Sequence, residues 1–498
     1  MADYVSVNAA SAVLRIPEFR GLCQYGDGVN GDPRYAVESI NALTAQGVLR
    51  PMAVNEMLPL ATESPVETLA LLHRRWHTAD TMKDVLIAAS GGQLYWSMPN
   101  GSEWTKIALP EGIQGTRYLD DNWSWVTYEI NPEGSASPVD VLLLSNAKDG
   151  MICIRGDDMT ASIVPTPKKF GVITRHAERI WGTAIEDAPD MLVYSAPYDP
   201  FNWEANSEFP EDGAGDILQP TWDGDSFQAL ATFGSQLLAF QKTKVWRVIG
   251  TNPGEYVFKE QYGGGTRYPD TIAVAGSRVL MLGEEGIAQY NGETVVPYDQ
   301  DYARGVFDRI SKAFADKAYA CLYKDTYYCA LPLDGAQDNN AVLMFDTVER
   351  TWLLRENVEV EAFLPTPDAL YYTSASTPGR VWLWHEDSWK ENRAAEPMRW
   401  VTPWVDFGCK ELVKSGFILY LTCECRAQIK LKLSIQTEKK CKTKTLVFNP
   451  SAEGRHPKQR RVAFGGNGRR FRLMLESDET APWRLVGGIQ LEAETDRD

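Results

Sequence analysis

The chain is short of the features that announce chemistry. It carries five histidines and eight cysteines in 498 residues, and no C-x-x-C pair exists to hold zinc. No G-x-S-x-G elbow is present, which removes the commonest serine-hydrolase signature. No apolar run approaches the roughly 18 residues a membrane-crossing helix needs; the longest candidate, 416–421 (GFILYL), is strand length. The start lacks a basic stretch followed by an apolar one, so it does not read as a secretory signal. The cysteines are scattered, and the C-x-C at Cys423 and Cys425 puts both thiols on one face of a strand, a poor geometry for a mutual disulfide. Reduced structural thiols are expected. Basic residues are also outnumbered, 50 Lys and Arg against 67 Asp and Glu, for a net charge of −17.

What is abundant is aromatic. Sixteen Trp and twenty-one Tyr favour pleated, half-buried surfaces and hence β structure. From about Val66 a loose unit recurs: a short apolar strand, a turn of Gly, Asp or Asn, and a second aromatic-rich strand. Six instances stand out, at 85–96, 141–154, 236–249, 279–290, 326–354 and 370–384. Units of this size cannot bury both faces alone and must stack in a ring. The expectation is an all-β chain: a divergent β-propeller of about six blades over 66–397 and a β-sandwich over 398–498. Residues 1–65 do not fit the repeat and read as an arm or irregular lead-in. One helix is expected at 303–315 (ARGVFDRISKAFA), where apolar residues fall at helical spacing. Charge divides the chain at the same place as pattern: residues 399–498 carry +7 and the preceding 398 carry −24.

The candidate sites reduce to turns and strands. His73 and His77 are four apart, but no Glu follows His73, and on the strand that the flanking residues suggest they would lie roughly 13 Å apart. His176, His385 and His456 are isolated. The glycine clusters at 263–265 and 465–468 match no phosphate-binding spacing. Glu208, Glu211, Asp212 and Asp216 in the acidic stretch 206–216 have the chemistry for calcium or for an acid–base pair, and read as a solvated connection. Residues 97–104 (SMPNGSEW) resemble the structural turn of sialidase blades, with Pro99 where that turn has Asp. Arg155-Gly156-Asp157 falls between two strands and reads as a hairpin turn. No catalytic residue, cofactor or metal is expected, and the chain is not read as an enzyme.

One cluster points to a partner. Lys430 and Lys432 alternate with Leu431 and Leu433, and Arg455, Lys458, Arg460, Arg461, Arg469, Arg470 and Arg472 follow. Alternation would gather such charges on one face of a sandwich, suited to the acidic surface of another subunit or to DNA phosphates. The Lys residues of 426–444 lack interleaved aromatics, which disfavours a single-strand platform.

Three stretches carry a family likeness: FRGLCQYGDGVNGDPRYAVESINALTAQGVLRP (19–51); SAPYDPFNWEANSEFPEDGAGDI (195–217) running into 233–258 and 279–292; and PWRLVGGIQLEAE (482–494). Together they resemble the β-propeller tail hub or nozzle proteins of tailed bacteriophages, also called packaged-DNA stabilisation proteins. That resemblance implies a virion structural protein made in the host cytoplasm and placed in the tail. It implies a homo-oligomeric, hexameric ring contacting portal or head–tail adaptor proteins and tail fibre or tip proteins. DNA would pass through without sequence-specific binding, and no membrane would be involved. The other reading of the residues is a propeller glycosidase or carbohydrate-binding protein, with Trp and Tyr stacking on sugars.

Overall fold

Short apolar strands joined by tight turns pair with their chain neighbours, so the middle of the chain becomes a succession of four-stranded antiparallel sheets. The computed structural model describes residues 5–7, 11–25, 31–75, 84–99, 101–113, 115, 117–132, 137–220, 224–250, 252–298, 302–450, 457 and 459–497. Seven such sheets follow one another as blades. Their innermost strands are, in order, Thr68–Leu72, Ser124–Ile130, Val172–His176, Ala229–Phe233, Ala273–Ala275, Tyr319–Tyr323 and Phe363–Pro365. Each packs against the next, and Phe363–Pro365 packs back onto Thr68–Leu72. The ring is therefore closed, a β-propeller around an axial channel.

Each blade interface has its own apolar cluster. Leu142 and Ile152 of blade 2 meet Ile87 and Leu94 of blade 1. Trp181 and Tyr194 of blade 3 meet Phe227 and Trp246 of blade 4. Leu60, Leu364 and Val381 of blade 7 meet Leu69 and Leu86 of blade 1. Burial from both sides explains why central strands such as Val139–Asn146 are buried along their whole length rather than alternating.

Blade 7 is completed from a distance. Its outermost strand is Glu56–Ala61, from the N-terminal segment, paired with Arg380–Leu383. The first strands of the chain enter the sandwich instead. One of its sheets runs Val5–Val7, Ser11–Ile16, Trp483–Arg497, Leu412–Cys425, Arg460–Gly468; the other runs Glu38–Ile40, Met398–Val401, Phe471–Ser477, Ile429–Thr437, Cys441–Phe448. Between them lies a core including Leu14, Phe19, Trp400, Phe417, Leu433, Phe471 and Leu491. Glu38–Ile40 also pairs in parallel with the outermost strand of blade 6, Thr351–Glu356, so one nine-stranded sheet runs from the channel outward to Cys441–Phe448.

Three expectations are corrected. The blades number seven, not six: the unread one is blade 3, with strands Val172–His176, Arg179–Thr183, Met191–Tyr194 and Gly215–Leu218. Segment 1–65 is not an arm; it supplies strands to the sandwich, to the junction and to blade 7. The helix at 303–315 is one turn, Arg304–Phe307, because Ile310 then bridges to Leu333 and Arg309 is drawn to Asp334 and Glu356. Its Val306 and Phe307 fill the interface of blades 5 and 6, with Phe307 against Gly286, where a Cβ would stand 2.7 Å from the ring. The β-sandwich expected after residue 398 is present, with six of its strands between Leu412 and Arg497. All eight cysteines are free thiols, with Cys423 and Cys425 both in the sandwich core.

Candidate functional site

The innermost strands run in one direction around the channel, so its two ends differ in chemistry. At the end where they finish lies a cavity of about 430 Å³ shared by four blades. Leu71 and His73 come from blade 1, Trp125 and Thr127 from blade 2, Tyr323 and Lys324 from blade 6, and Pro365 and Pro367 from blade 7. Its polar groups are held by neighbours: His73 Nδ1 lies 2.9 Å from Asp84 Oδ1, and Tyr323 Oη donates to the Asp368 carbonyl at 2.9 Å. Lys324 Nζ stands 4.7 Å from the centre of the Tyr323 ring.

The end where the innermost strands begin is acidic. Glu67 precedes blade 1, Asp121 blade 2, Asp270 blade 5 and Glu361 blade 7. Burial pushes the Glu67 carboxyl up, and Asp121 and Asp120 add to the shift. Asp121 is raised likewise, although its oxygens accept from Gly92 N at 3.0 and 2.8 Å. Glu361 is raised by burial, then by Asp338 and Glu67, and Asp270 by burial alone. Glu67, Asp270 and Glu361 nevertheless expose area to solvent, as groups do when they line a water-filled opening surrounded by protein.

The acidic stretch in blade 3 is a built connection between that blade's third and fourth strands. Arg179, itself buried, donates Nη1 to the carbonyls of Ser195 (2.7 Å) and Gly213 (2.6 Å) and Nη2 to that of Glu211, and stacks over Tyr194. Asn206 Oδ1 accepts from Glu208 N and Phe209 N, both at 3.0 Å. The carboxylates of Glu204, Glu208, Glu211, Asp212 and Asp216 all face solvent. Arg179 was not among the residues that the sequence pattern marks; a lone Arg at the start of a strand gives no local sign that it will gather three carbonyls.

The basic cluster is divided by strand parity. Lys430 and Lys432 do share the outer face of Ile429–Thr437, opposite the buried Leu431 and Leu433. Lys432 pairs with Glu476 at 2.7 Å, and Arg472 on the adjacent strand donates to Gln436 and lies over Trp404. Arg461 and Arg460 belong to the other sheet: Arg461 lies on its outer face, while Arg460 shares the side of Val462 and Phe464 and reaches over Phe448. Arg469 and Arg470 occupy the turn between Arg460–Gly468 and Phe471–Ser477, where Glu438 accepts from both backbone N–H groups. One face for all seven is thus not what forms. Lys430, Arg460, Arg469 and Arg470 instead lie near the free edge strand Cys441–Phe448 or its hairpin, which carries exposed Lys442 and Lys444, while Lys432 and Arg472 are engaged further in. Arg455, Lys458 and His456 lie outside the described residues, as does His77, so the His73–His77 pair is not assessed.

Among the described residues no group of three or more His, Cys, Asp or Glu is placed to hold a metal ion. Arg155-Gly156-Asp157 closes on itself through an Arg155–Asp157 pair at 2.6 Å. Gly263 and Gly264 form a turn with positive φ, and 465–468 belong to a strand at a bulge opposite Ser415 and Phe417.

No protein-family model and no curated protein matches the chain. Solved propellers do resemble it: YCF48 bound to D1 peptide (11% identity, TM-score 0.42, 70% of this chain and 97% of that one), BBS1N in complex with ARL6DN (10%, 0.40, 67% and 96%), and the Neurospora crassa Pan2 WD40 domain (9%, 0.34, 64% and 89%). At these identities the likeness concerns fold alone.

Proposed function

We propose that the protein is a structural component of a bacteriophage tail, a hub or nozzle ring that helps close the portal–tail channel and offers fibres or tip proteins an attachment surface. The observation that carries this reading is the unbroken nine-stranded sheet linking the propeller to the basic sandwich. It fixes two surfaces of opposite charge in one rigid body, as a ring-forming connector needs. A ring lumen lined by the acidic propeller, where residues 1–398 carry −24, would let DNA pass without adhesion, since phosphates are repelled there. Portal or adaptor proteins and the chain itself are the partners on this reading, and the virion tail is its location.

Mass spectrometry of purified particles tests it: the chain is expected at fixed copy number beside portal and fibre proteins, and deletion of its gene is expected to give heads that lose packaged DNA. Absence from particles overturns the reading. A second reading draws on the raised carboxyls of Glu67, Asp121 and Glu361 around one opening, since perturbed acids mark catalytic sites more often than chance. A propeller glycosidase predicts hydrolysis of glycan substrates that is abolished in Glu67→Gln, and no turnover of a glycan panel removes it.

A further inference from the structure

We propose that copies of this chain join head to tail, the basic free edge of one sandwich docking on the acidic corner of blade 3 in the next copy. The inference deepens and rests on the ring reading above, but it concerns the purified chain and is tested without reference to any particle.

The two surfaces are complementary. On the sandwich, Cys441–Phe448 ends the nine-stranded sheet and pairs only with Ile429–Thr437, leaving its other side of backbone N–H and C=O groups unpaired within the sheet. Exposed lysines flank it on both faces: Lys430 lies on the outer face beside Val447, which is 41% exposed, while Lys442 and Lys444 lie on the face shared by Leu433 and Ile435, with Lys444 over the Phe464 ring. On blade 3, the connection anchored by Arg179 presents Glu204, Glu208, Glu211 and Asp212, and the outermost strand adds Asp216. None of these five carboxylates pairs with a described cation. Three apolar side chains of the same blade are also exposed, Tyr198 at 76%, Phe209 at 54% and Leu218 at 53%.

Lysines on an edge strand block pairing with a like edge. Two sandwich edges therefore repel, and the symmetrical edge-to-edge dimer is disfavoured. An acidic surface has no such penalty. Position then dictates the kind of assembly. The sandwich leaves the ring from blade 6, and blade 3 lies three blades away in a ring of seven, nearly across the channel. One chain cannot satisfy both surfaces with each other. A contact between different patches of identical copies is heterologous, and repeated it closes into a ring or extends as a filament.

The test uses the full-length purified protein, followed by mass photometry and sedimentation velocity at low and high salt. Wild type is expected to assemble beyond a dimer at low salt and to dissociate as salt screens the contact. The triple variant Lys430→Glu/Lys442→Glu/Lys444→Glu and the triple variant Glu208→Lys/Glu211→Lys/Asp212→Lys should each lower the assembly affinity by about tenfold or more. Mixing the two variants, or combining all six changes in one chain, restores opposite charges across the contact and should restore assembly. Because all six side chains are exposed, circular dichroism should be unchanged. A wild-type monomer at every salt concentration overturns the proposal. So does an oligomer indifferent to both reversals, and so does a monomer whose Lys430/Lys442/Lys444 edge binds a duplex DNA oligonucleotide instead.

Discussion

Three buried arginines hold junctions that backbone pairing alone leaves loose. Arg50, in the N-terminal segment, meets Asp387 at 2.7 Å between blade 7 and the sandwich. Arg355, 1% exposed on the outermost strand of blade 6, donates to the carbonyls of Ala53 and His385, pairs with Glu396 and lies over Trp384. Arg179 anchors the acidic corner of blade 3. The rim carboxylates act in the opposite sense. Glu67 and Glu361 have carboxyls raised in the fold, so folding favours their protonated forms. The stability this brings is fully present below the ordinary carboxylate value of about 4.3 and is lost as pH rises through the raised value. Above that raised value their ionisation costs the fold stability. The double variant Glu67→Gln/Glu361→Gln should therefore melt higher than wild type at pH 7, with a gain of a few tenths of a kcal/mol after allowance for solvent screening. The gain should vanish below about pH 4. Thermal melts at the two pH values check this, and a gain that persists or grows in acid contradicts it.

At the scale of the element, the strand Glu56–Ala61 decides whether the ring closes. It is separated from its partner Arg380–Leu383 by more than three hundred residues, and its Leu60, 0% exposed, lies in the cluster joining blades 7 and 1. Leu60→Asp puts an unpaired carboxylate there, and a loss of about 3 kcal/mol or more is expected. Hydrogen exchange should locate the damage, with Leu370–Thr373 and Thr68–Leu72 losing protection before the opposite blades; uniform loss around the ring would contradict a closure role. Such closure is invisible to a local reading, since EMLPLA with Pro59 looks like a poor strand and its pairing is non-local. Blade 3 escaped notice for a related reason. Gly182 interrupts its second strand because the Phe170 ring occupies the space of a side chain, and about twenty residues separate its third and fourth strands. The other six blades were legible because each contains two adjacent apolar strands across a short turn. Strand alternation likewise made the Lys430–Lys432 face legible, whereas the arginines that follow divided between sheets because sequence alone does not say which sheet a strand joins.

At the scale of the whole molecule, the charge boundary near residue 398 and the physical boundary do not coincide. The sandwich core takes Leu14, Ile16 and Phe19 from before the propeller and Trp400, Leu433 and Leu491 from after it, while its second sheet is also the continuation of blade 6. Trp400 is the residue on which these contributions converge: fully buried, edge-on to Phe19 at 5.2 Å, on the strand between Glu38–Ile40 and Phe471–Ser477. Two domains strung in sequence would melt independently. Parts sharing a sheet and a core in this way should unfold together, so calorimetry is expected to show the sandwich melting with blades 6 and 7 in one transition. Trp400→Ala, at a cost of about 3–5 kcal/mol for the cavity, should lower that joint transition as a unit. Two resolved transitions, with the propeller's unmoved by the substitution, would mean that the shared sheet transmits little. The head-to-tail contact would then need to hold two loosely linked bodies in place rather than one rigid connector.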